Sequence, residues 1–176
     1  MIIQNNENAL RVKCEDVLPE EINEIILKLE QELDRSFKLG EPGIGLAAPQ
    51  IGINKRAAII RCGEYKLDLI NPSIIETYDK GMFKGEGCLS FPGREENTFR
   101  YQEIVLNNNN GEPRQYICTG LVAVCCQHEI EHLDGILFFD NVIKKKKLKP
   151  NDLCNCGKLD KLTNLPKKYK KCCGEK

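Results

Sequence analysis

No apolar run in this chain of 176 residues approaches the roughly 20 that a membrane span requires. The start, Met1-Ile2-Ile3-Gln4-Asn5-Asn6-Glu7, lacks the basic and apolar regions of a signal peptide. The expectation is a cytoplasmic protein in a reducing compartment, with no membrane partner. There, ten cysteines read as metal ligands, buried small apolar residues or nucleophiles rather than disulfides. Internal repeats are also missing, so solenoids and arrays are excluded. Net charge is zero only in sum: residues 1–143 hold 14 Lys and Arg against 23 Asp and Glu, a balance of −9, whereas residues 144–176 hold 12 against 3, a balance of +9. The composition changes at Lys144-Lys145-Lys146-Lys147, with Pro150 following, which predicts a body over 1–143, a basic linker over 144–153 and a Cys-rich tail over 154–176. A body of that size has room for one real core.

Histidine is the scarcest chemically useful residue, with two in the chain, His128 and His132 of Cys126-Gln127-His128-Glu129-Ile130-Glu131-His132-Leu133-Asp134-Gly135. On a helix this spacing puts both rings on one face about one turn apart, where they can grip one metal ion. Glu129 falls roughly 60° around that helix from His132, so its carboxylate can reach a water on the metal without being a ligand. Val122, Val124, Cys125, Cys126, Ile130 and Leu133 make the helix apolar nearly all round, which predicts burial. Thr119 or Gly120 would start it and Gly135 can end it in a left-handed cap.

Ahead of this helix, Pro19 opens an amphipathic helix with Ile22, Ile25, Ile26, Leu29, Leu33 and Phe37 at helical spacing, ending before Gly40. Glu41 to Gln50 is too rich in Gly and Pro for a regular element; Gly43 and Gly45 would let a substrate backbone approach closely. Arg56–Ile60 and Lys66–Ile70 read as strands, stopped by Asn71-Pro72, and Glu103–Leu106 with Arg114–Cys118 as a hairpin about Asn107–Gly111. Lys84–Gly93 reads as a loop holding Cys88.

A catalytic metal of this kind wants three protein ligands and one open position. No third histidine exists; Asp134 is too close behind and on another face, and Asp140 follows an apolar run. Cys88 is the better candidate, its alternative being a small buried apolar residue.

Three segments, Gly43-Ile44-Gly45-Leu46-Ala47-Ala48-Pro49-Gln50, Glu86-Gly87-Cys88-Leu89-Ser90 and Gln127-His128-Glu129-Ile130-Glu131-His132, in this order and spacing resemble the signature motifs of the peptide deformylases. The resemblance runs from about Leu10 to Ile143. It implies an α+β fold, with antiparallel sheets packed around a central buried helix carrying HExxH. The implied activity is removal of the formyl group from N-formylmethionine at the start of nascent polypeptides. It assigns Cys88, His128 and His132 as metal ligands and ferrous iron as the working metal, in a site that zinc, nickel or cobalt also fits. Glu129 becomes general acid and base towards a metal-bound water, with Gln50 and the Leu89 backbone N–H stabilising the negative oxygen that develops. Ile44, Gly45, Leu121, Val124 and Cys125 would receive the substrate, and Glu86, grouped with them, would orient a neighbouring group. Lys84 stands where an apolar residue is more usual, and Arg94 and Arg100 where arginines bracing the active-site loop are common.

In the tail, Cys154-Asn155-Cys156-Gly157 and Cys172-Cys173-Gly174 form two pairs that four thiolates would close around a structural zinc. They resemble the small zinc motif at the end of the preprotein translocase ATPase, with a longer spacer. Its surplus of Lys suits docking on ribosomal RNA or an acidic protein. Two rival readings remain: a zinc endopeptidase of the HExxH type, opposed by the missing downstream ligand, and a ribosome- or protein-binding module acting through the tail.

Overall fold

The computed structural model describes residues 1–110, 112–142 and Lys168. The chain divides into two units, Met1–Ile143 and Lys144–Lys176, and the architecture below is that of the first. The linker and the four tail cysteines lie outside the described residues.

After a short helix α1 (Glu7–Leu10), a 3-10 turn at Pro19–Glu21 leads into α2 (Ile22–Lys38). Pro19 supplies the fixed φ of a helix start, and Glu21 Oε2 accepts the Leu18 N–H at 2.8 Å. The expected spacing holds for Ile25, Leu29 and Leu33, which are buried. Phe37 departs from it at 71% exposure. The buried position of the last turn is instead Ser36, whose hydroxyl donates to the Leu33 carbonyl.

Two antiparallel three-stranded sheets follow. The first has the order β1 (Gly45–Ala47), β2 (Ala57–Cys62), β3 (Tyr65–Ile70), in the register Gly45↔Ile60 and Ala58↔Leu69. Period-two alternation divides its side chains between two layers. Ala57, Ile59 and Ile70 pack with α2, and Ala58, Ile60, Leu67 and Leu69 turn the other way. The second sheet is β4 (Ser73–Gly87), β5 (Glu95–Asn110), β6 (Glu112–Thr119). Its buried row on β5, Thr98, Arg100, Ile104, Leu106 and Asn108, again falls on alternate residues.

The helix carrying both histidines, α3 (Gly120–Leu133), begins after Thr119 and ends at Asp134, with Gly135 at φ 71°. One flank meets Ala58, Ile60, Leu67 and Leu69, and another meets Ile104, Leu106 and Cys118. Ten of its 14 residues are buried, as its all-round apolar character requires. At roughly 1.5–3 kcal/mol per fully buried large aliphatic side chain, these contacts and not helix propensity hold α3 in place.

Three sequence expectations are corrected. Gly45–Ala47 is a strand and Ala48–Ile51 a 3-10 turn, where no regular element was expected. Lys84–Gly87 belongs to β4, a 15-residue strand whose side chains are mostly exposed and so show no apolar alternation. The asparagine run is strand, not turn, because Asn107–Asn110 pair in register with Gln115–Glu112. Asn108 is buried there, its Oδ1 accepting the Ile70 N–H at 2.6 Å and its Nδ2 donating to the Asp68 carbonyl at 2.8 Å, which ties the two sheets together.

Candidate active site

On α3 the rings of His128 and His132 lie edge to face, 4.9 Å between centroids. Cys88, just beyond the end of β4, meets them: its Sγ is 3.3 Å from His132 Nε2. One ligand atom from each of Cys88, His128 and His132 lies within 4.8 Å of the other two, the one such cluster among the described residues. Thiolate and imidazole bound to one tetrahedral metal stand about 3.6 Å apart, so the donors fit a single ion. The rejected carboxylates are occupied elsewhere, Asp134 with Arg56 at 2.6 Å and Asp140 with Arg11 at 2.8 Å.

The ring of His128 is oriented by Glu86, whose Oε1 lies 2.6 Å from Nδ1, leaving Nε2 for a metal. Glu86 is held in turn by Arg100, with Nε on one carboxylate oxygen at 2.8 Å and Nη2 on the other at 2.6 Å, and it accepts the Thr98 hydroxyl. Burial alone would raise the pKa of Glu86, but the hydrogen bonds from His128 and Arg100 and the Arg100 charge outweigh it and hold the carboxyl at about 2. Arg100 is itself 1% exposed, and its Nη1 reaches Glu131 of α3 at 2.6 Å. Glu86 thus joins His128 to Arg100 while also lining a cavity beside His128.

Sequence reasoning gave Glu131 no role and placed Arg100 only where an arginine would brace the active-site loop; it did not foresee Arg100 buried between Glu86 and Glu131. The signal was present, because Arg100 shares its parity along β5 with Thr98, Ile104 and Leu106. A charged residue on a buried row needs partners. Arg94, by contrast, stacks 3.6 Å over the Phe139 ring.

Glu129 is 4% exposed, and its Oε2 has no hydrogen-bond partner among the described residues. Burial pushes its carboxyl up to about 7, against the lowering effect of His128. Gly45 passes directly over it: a Cβ there would stand 2.5 Å from Glu129 Oε1 and 2.7 Å from Cys125 Sγ. Close approach, not unusual φ, is what requires glycine. Gln50 is 2% exposed; its Oε1 accepts the Ala47 N–H at 2.8 Å, which aims Nε2 at Cys88 Sγ, 3.4 Å away, and Ser90 Oγ, 3.1 Å away.

These groups border a cavity of about 660 Å³. Ile44, Gly45, Gln50, Glu86, Cys88, Leu89, Leu121, Val124, Cys125, His128 and Glu129, all expected at the site, line it, and His132 stands behind at 1% exposure. Burial raises the Cys125 thiol well above its ordinary pKa, so it serves the cavity as a small neutral wall. The cavity opens between two strand edges left unpaired in their sheets, β1 at Gly45 and β4 at Gly85–Gly87.

A family model for polypeptide deformylases matches residues 1–148. The peptide deformylase of Halothermothrix orenii is 39% identical over 140 residues, covering 77% of this chain and 88% of the relative. That of Desulfitobacterium hafniense is 40% identical over 146 residues, covering 81% and 94%. Among solved structures, a peptide deformylase from Synechococcus elongatus in complex with actinonin superposes with a TM-score of 0.74 at 35% identity, over 82% of this chain and 79% of that one. The enzyme from Thermotoga maritima gives 0.71 at 29% identity, over 81% and 97%.

Proposed function

The chain belongs to the polypeptide deformylase family, hydrolases that remove the formyl group from N-terminal formylmethionine, and we propose that Cys88, His128 and His132 hold its catalytic metal while Glu129 moves the proton. The observation that carries this reading is the convergence of one thiol and two imidazoles beside a buried carboxylate whose Oε2 has no partner among the described residues, with Cys88, His128 and Glu129 lining one cavity and His132 just behind it. Three protein donors leave one corner of a tetrahedral site for solvent. A divalent ion bound there supplies Lewis acidity and a more acidic water.

Glu129 Oε2 takes a proton from the water that adds to the formyl carbon. It returns that proton to the nitrogen as the C–N bond breaks, releasing formate and a free amine. Gln50 Nε2 and the Leu89 N–H face the oxygen on which negative charge develops. The substrate backbone lies extended between the edges at Gly45 and Gly87 and hydrogen-bonds to them as an added strand. Its methionine side chain enters the apolar wall of Ile44, Leu121, Val124 and Cys125. Glu86, held by Arg100, keeps His128 in one tautomer.

Formyl-Met-Ala-Ser should release formate, and its unformylated counterpart should remain whole. Chain cleavage without formate would instead establish the endopeptidase reading. Ferrous iron is the metal we propose, a thiolate and two imidazoles suiting it as they suit zinc, nickel or cobalt. Metal analysis of protein purified without oxygen distinguishes these.

From the sequence alone we also propose that Cys154, Cys156, Cys172 and Cys173 close a structural zinc site, and that the basic segment 144–176 docks on the ribosome in the cytoplasm, where nascent chains emerge. Cys172→Ser with Cys173→Ser should lower zinc content by one equivalent and weaken cosedimentation with ribosomes; unchanged values would refute both. Among the described residues no helix is long and apolar enough to cross a membrane.

A further inference from the structure

Residues 2–5 cross the two loops that carry Gln50 and Leu89. The Ile3 N–H donates to the Gln50 carbonyl at 2.7 Å, and the Asn5 N–H donates to the Ser90 carbonyl at 2.8 Å. Those carbonyls stand 40 residues apart in the chain, one on the 3-10 turn after β1 and one on the loop after β4. The aliphatic side chains divide in the same way. Ile2 packs against the cluster that Leu89 also joins, around α2, Leu46 and Ala48, and Ile3 against the one that Cys88 joins, around Leu10, Phe91 and Phe138. The segment is a strap with one main-chain bond to each loop and one half-buried isoleucine in each cluster.

Asn5 sets the direction of the strap. Its φ of 53° lies in the left-handed region, which asparagine tolerates better than most residues other than glycine. Asn6 is fixed as the cap of α1, its Oδ1 accepting the Ala9 N–H at 3.2 Å. The left-handed turn just before it therefore aims the preceding backbone at the loops. The Asn5 side chain is exposed, so what the position supplies is a backbone conformation and an N–H.

We infer that Ile3 and Asn5 are positioning residues for deformylation, their N–H groups fixing the Gln50 turn against the Cys88–Ser90 loop so that Gln50 Nε2 meets the oxygen on which charge develops. The inference rests on the reading of Gln50 as a donor to that oxygen. Stabilisation of this kind depends on donors already in place before the charge forms. Leu89 follows Cys88, a proposed metal ligand, and is anchored through it. Gln50 ligates nothing, and the carbonyl of its own residue is held by Ile3. Neither Ile3 nor Asn5 lines the cavity, so both act through Gln50 and not on substrate.

Asn5→Val puts a β-branched residue at φ 53° and should release the strap. For formate release from formyl-Met-Ala-Ser, kcat should fall about 10- to 100-fold with KM within about twofold, because a donor misplaced by about 1 Å is lost to the transition state and not to the bound peptide. Asn5→Gly keeps the N–H, suits that φ and should retain kcat. Ile3→Pro deletes the other N–H and should repeat the Asn5→Val result. In a Gln50→Ala background each should cost less than about twofold more, since the group they place is gone. Because Asn5 is exposed, Asn5→Val decides the matter whether or not Ile3→Pro folds. Unchanged kcat in Asn5→Val, a change confined to KM, a loss of metal that accounts for the fall, or additive losses with Gln50→Ala would overturn the inference and leave deformylation intact. Unchanged kcat in Gln50→Ala itself would overturn the reading of Gln50, and the inference with it.

Discussion

Glu86 Oε1 stands 2.6 Å from Nδ1 of His128, and the same carboxylate is gripped from behind by Nε and Nη2 of Arg100. Arg100 also holds Glu131, one residue before His132. One buried guanidinium thus braces the helix turn that carries both imidazoles.

Replacing Arg100 with Met would leave the buried Glu86 and the half-buried Glu131 without their cation. The expected loss of folding stability is about 3–5 kcal/mol, read from denaturant unfolding. Metal retention should fall about 10- to 100-fold in the fraction that folds. Arg100→Lys should recover only part of both, because a single ammonium cannot make the two parallel bonds to Glu86. Equal metal affinity in all three proteins would remove Arg100 from the site.

Glu129→Ala should retain the metal and lose turnover by at least about two orders of magnitude, because the variant keeps Cys88, His128 and His132 and lacks only the proton carrier. Metal content and formate release, measured on the same sample, separate the two effects. Unchanged turnover would exclude Glu129 as the base.

Gly45→Ala places a methyl 2.5 Å from Glu129 Oε1 and 2.7 Å from Cys125 Sγ. Something must shift, so kcat should drop at least tenfold while the unfolding midpoint moves little, the crowded atoms being side-chain ends at a cavity. Adding Cys125→Ala should relieve part of the loss. A double variant no better than the single one would place the strain elsewhere.

Leu121 lies on α3 and Ile60 packs in the core beside it, but Leu121 is 47% exposed on the cavity and Ile60 is fully buried. Ile60→Ala should cost about 2–5 kcal/mol of stability. Leu121→Ala should cost less than about 1 kcal/mol and raise KM for formylmethionyl peptides. Thermal unfolding and kinetics on both variants check the contrast.

The hydrogen bond from Arg11 holds the Asp140 carboxyl below its usual range, against the smaller opposing effect of burial. Its stabilising contribution is present above the unfolded-state pKa and is lost as pH falls through the lower folded-state value. Both side chains are more than a third exposed, so the contribution is below about 1 kcal/mol. Asp140→Asn should reduce stability slightly at neutral pH and leave the two proteins equal once the carboxyl is protonated. A gap that persists in acid would assign the effect to packing.

Much of this arrangement could be read before any fold was known. His128 and His132 share a face because four residues make about one helical turn, a local rule, and α2 declared itself through Ile25, Leu29 and Leu33 in the same way. Gly45 was legible as a point of close approach. The long strand β4 was not, since a mostly exposed edge strand shows no alternation and exists through its pairing with β5. Asn107–Asn110 looked like a turn because asparagine favours turns; pairing with β6 overrode that preference, and Asn108 bonds main-chain groups of the first sheet.

By itself the sequence determined the donors: which residues carry imidazole, thiol and carboxylate, and the local spacing that aligns the two rings. Only the tertiary structure decided that Cys88 meets His132 across 44 residues of chain and that Arg100 lies buried behind Glu86. Helical spacing is set within a single turn by backbone geometry. Long-range meetings depend on how two sheets and a buried helix divide their apolar surfaces, a collective balance that no short stretch of residues contains.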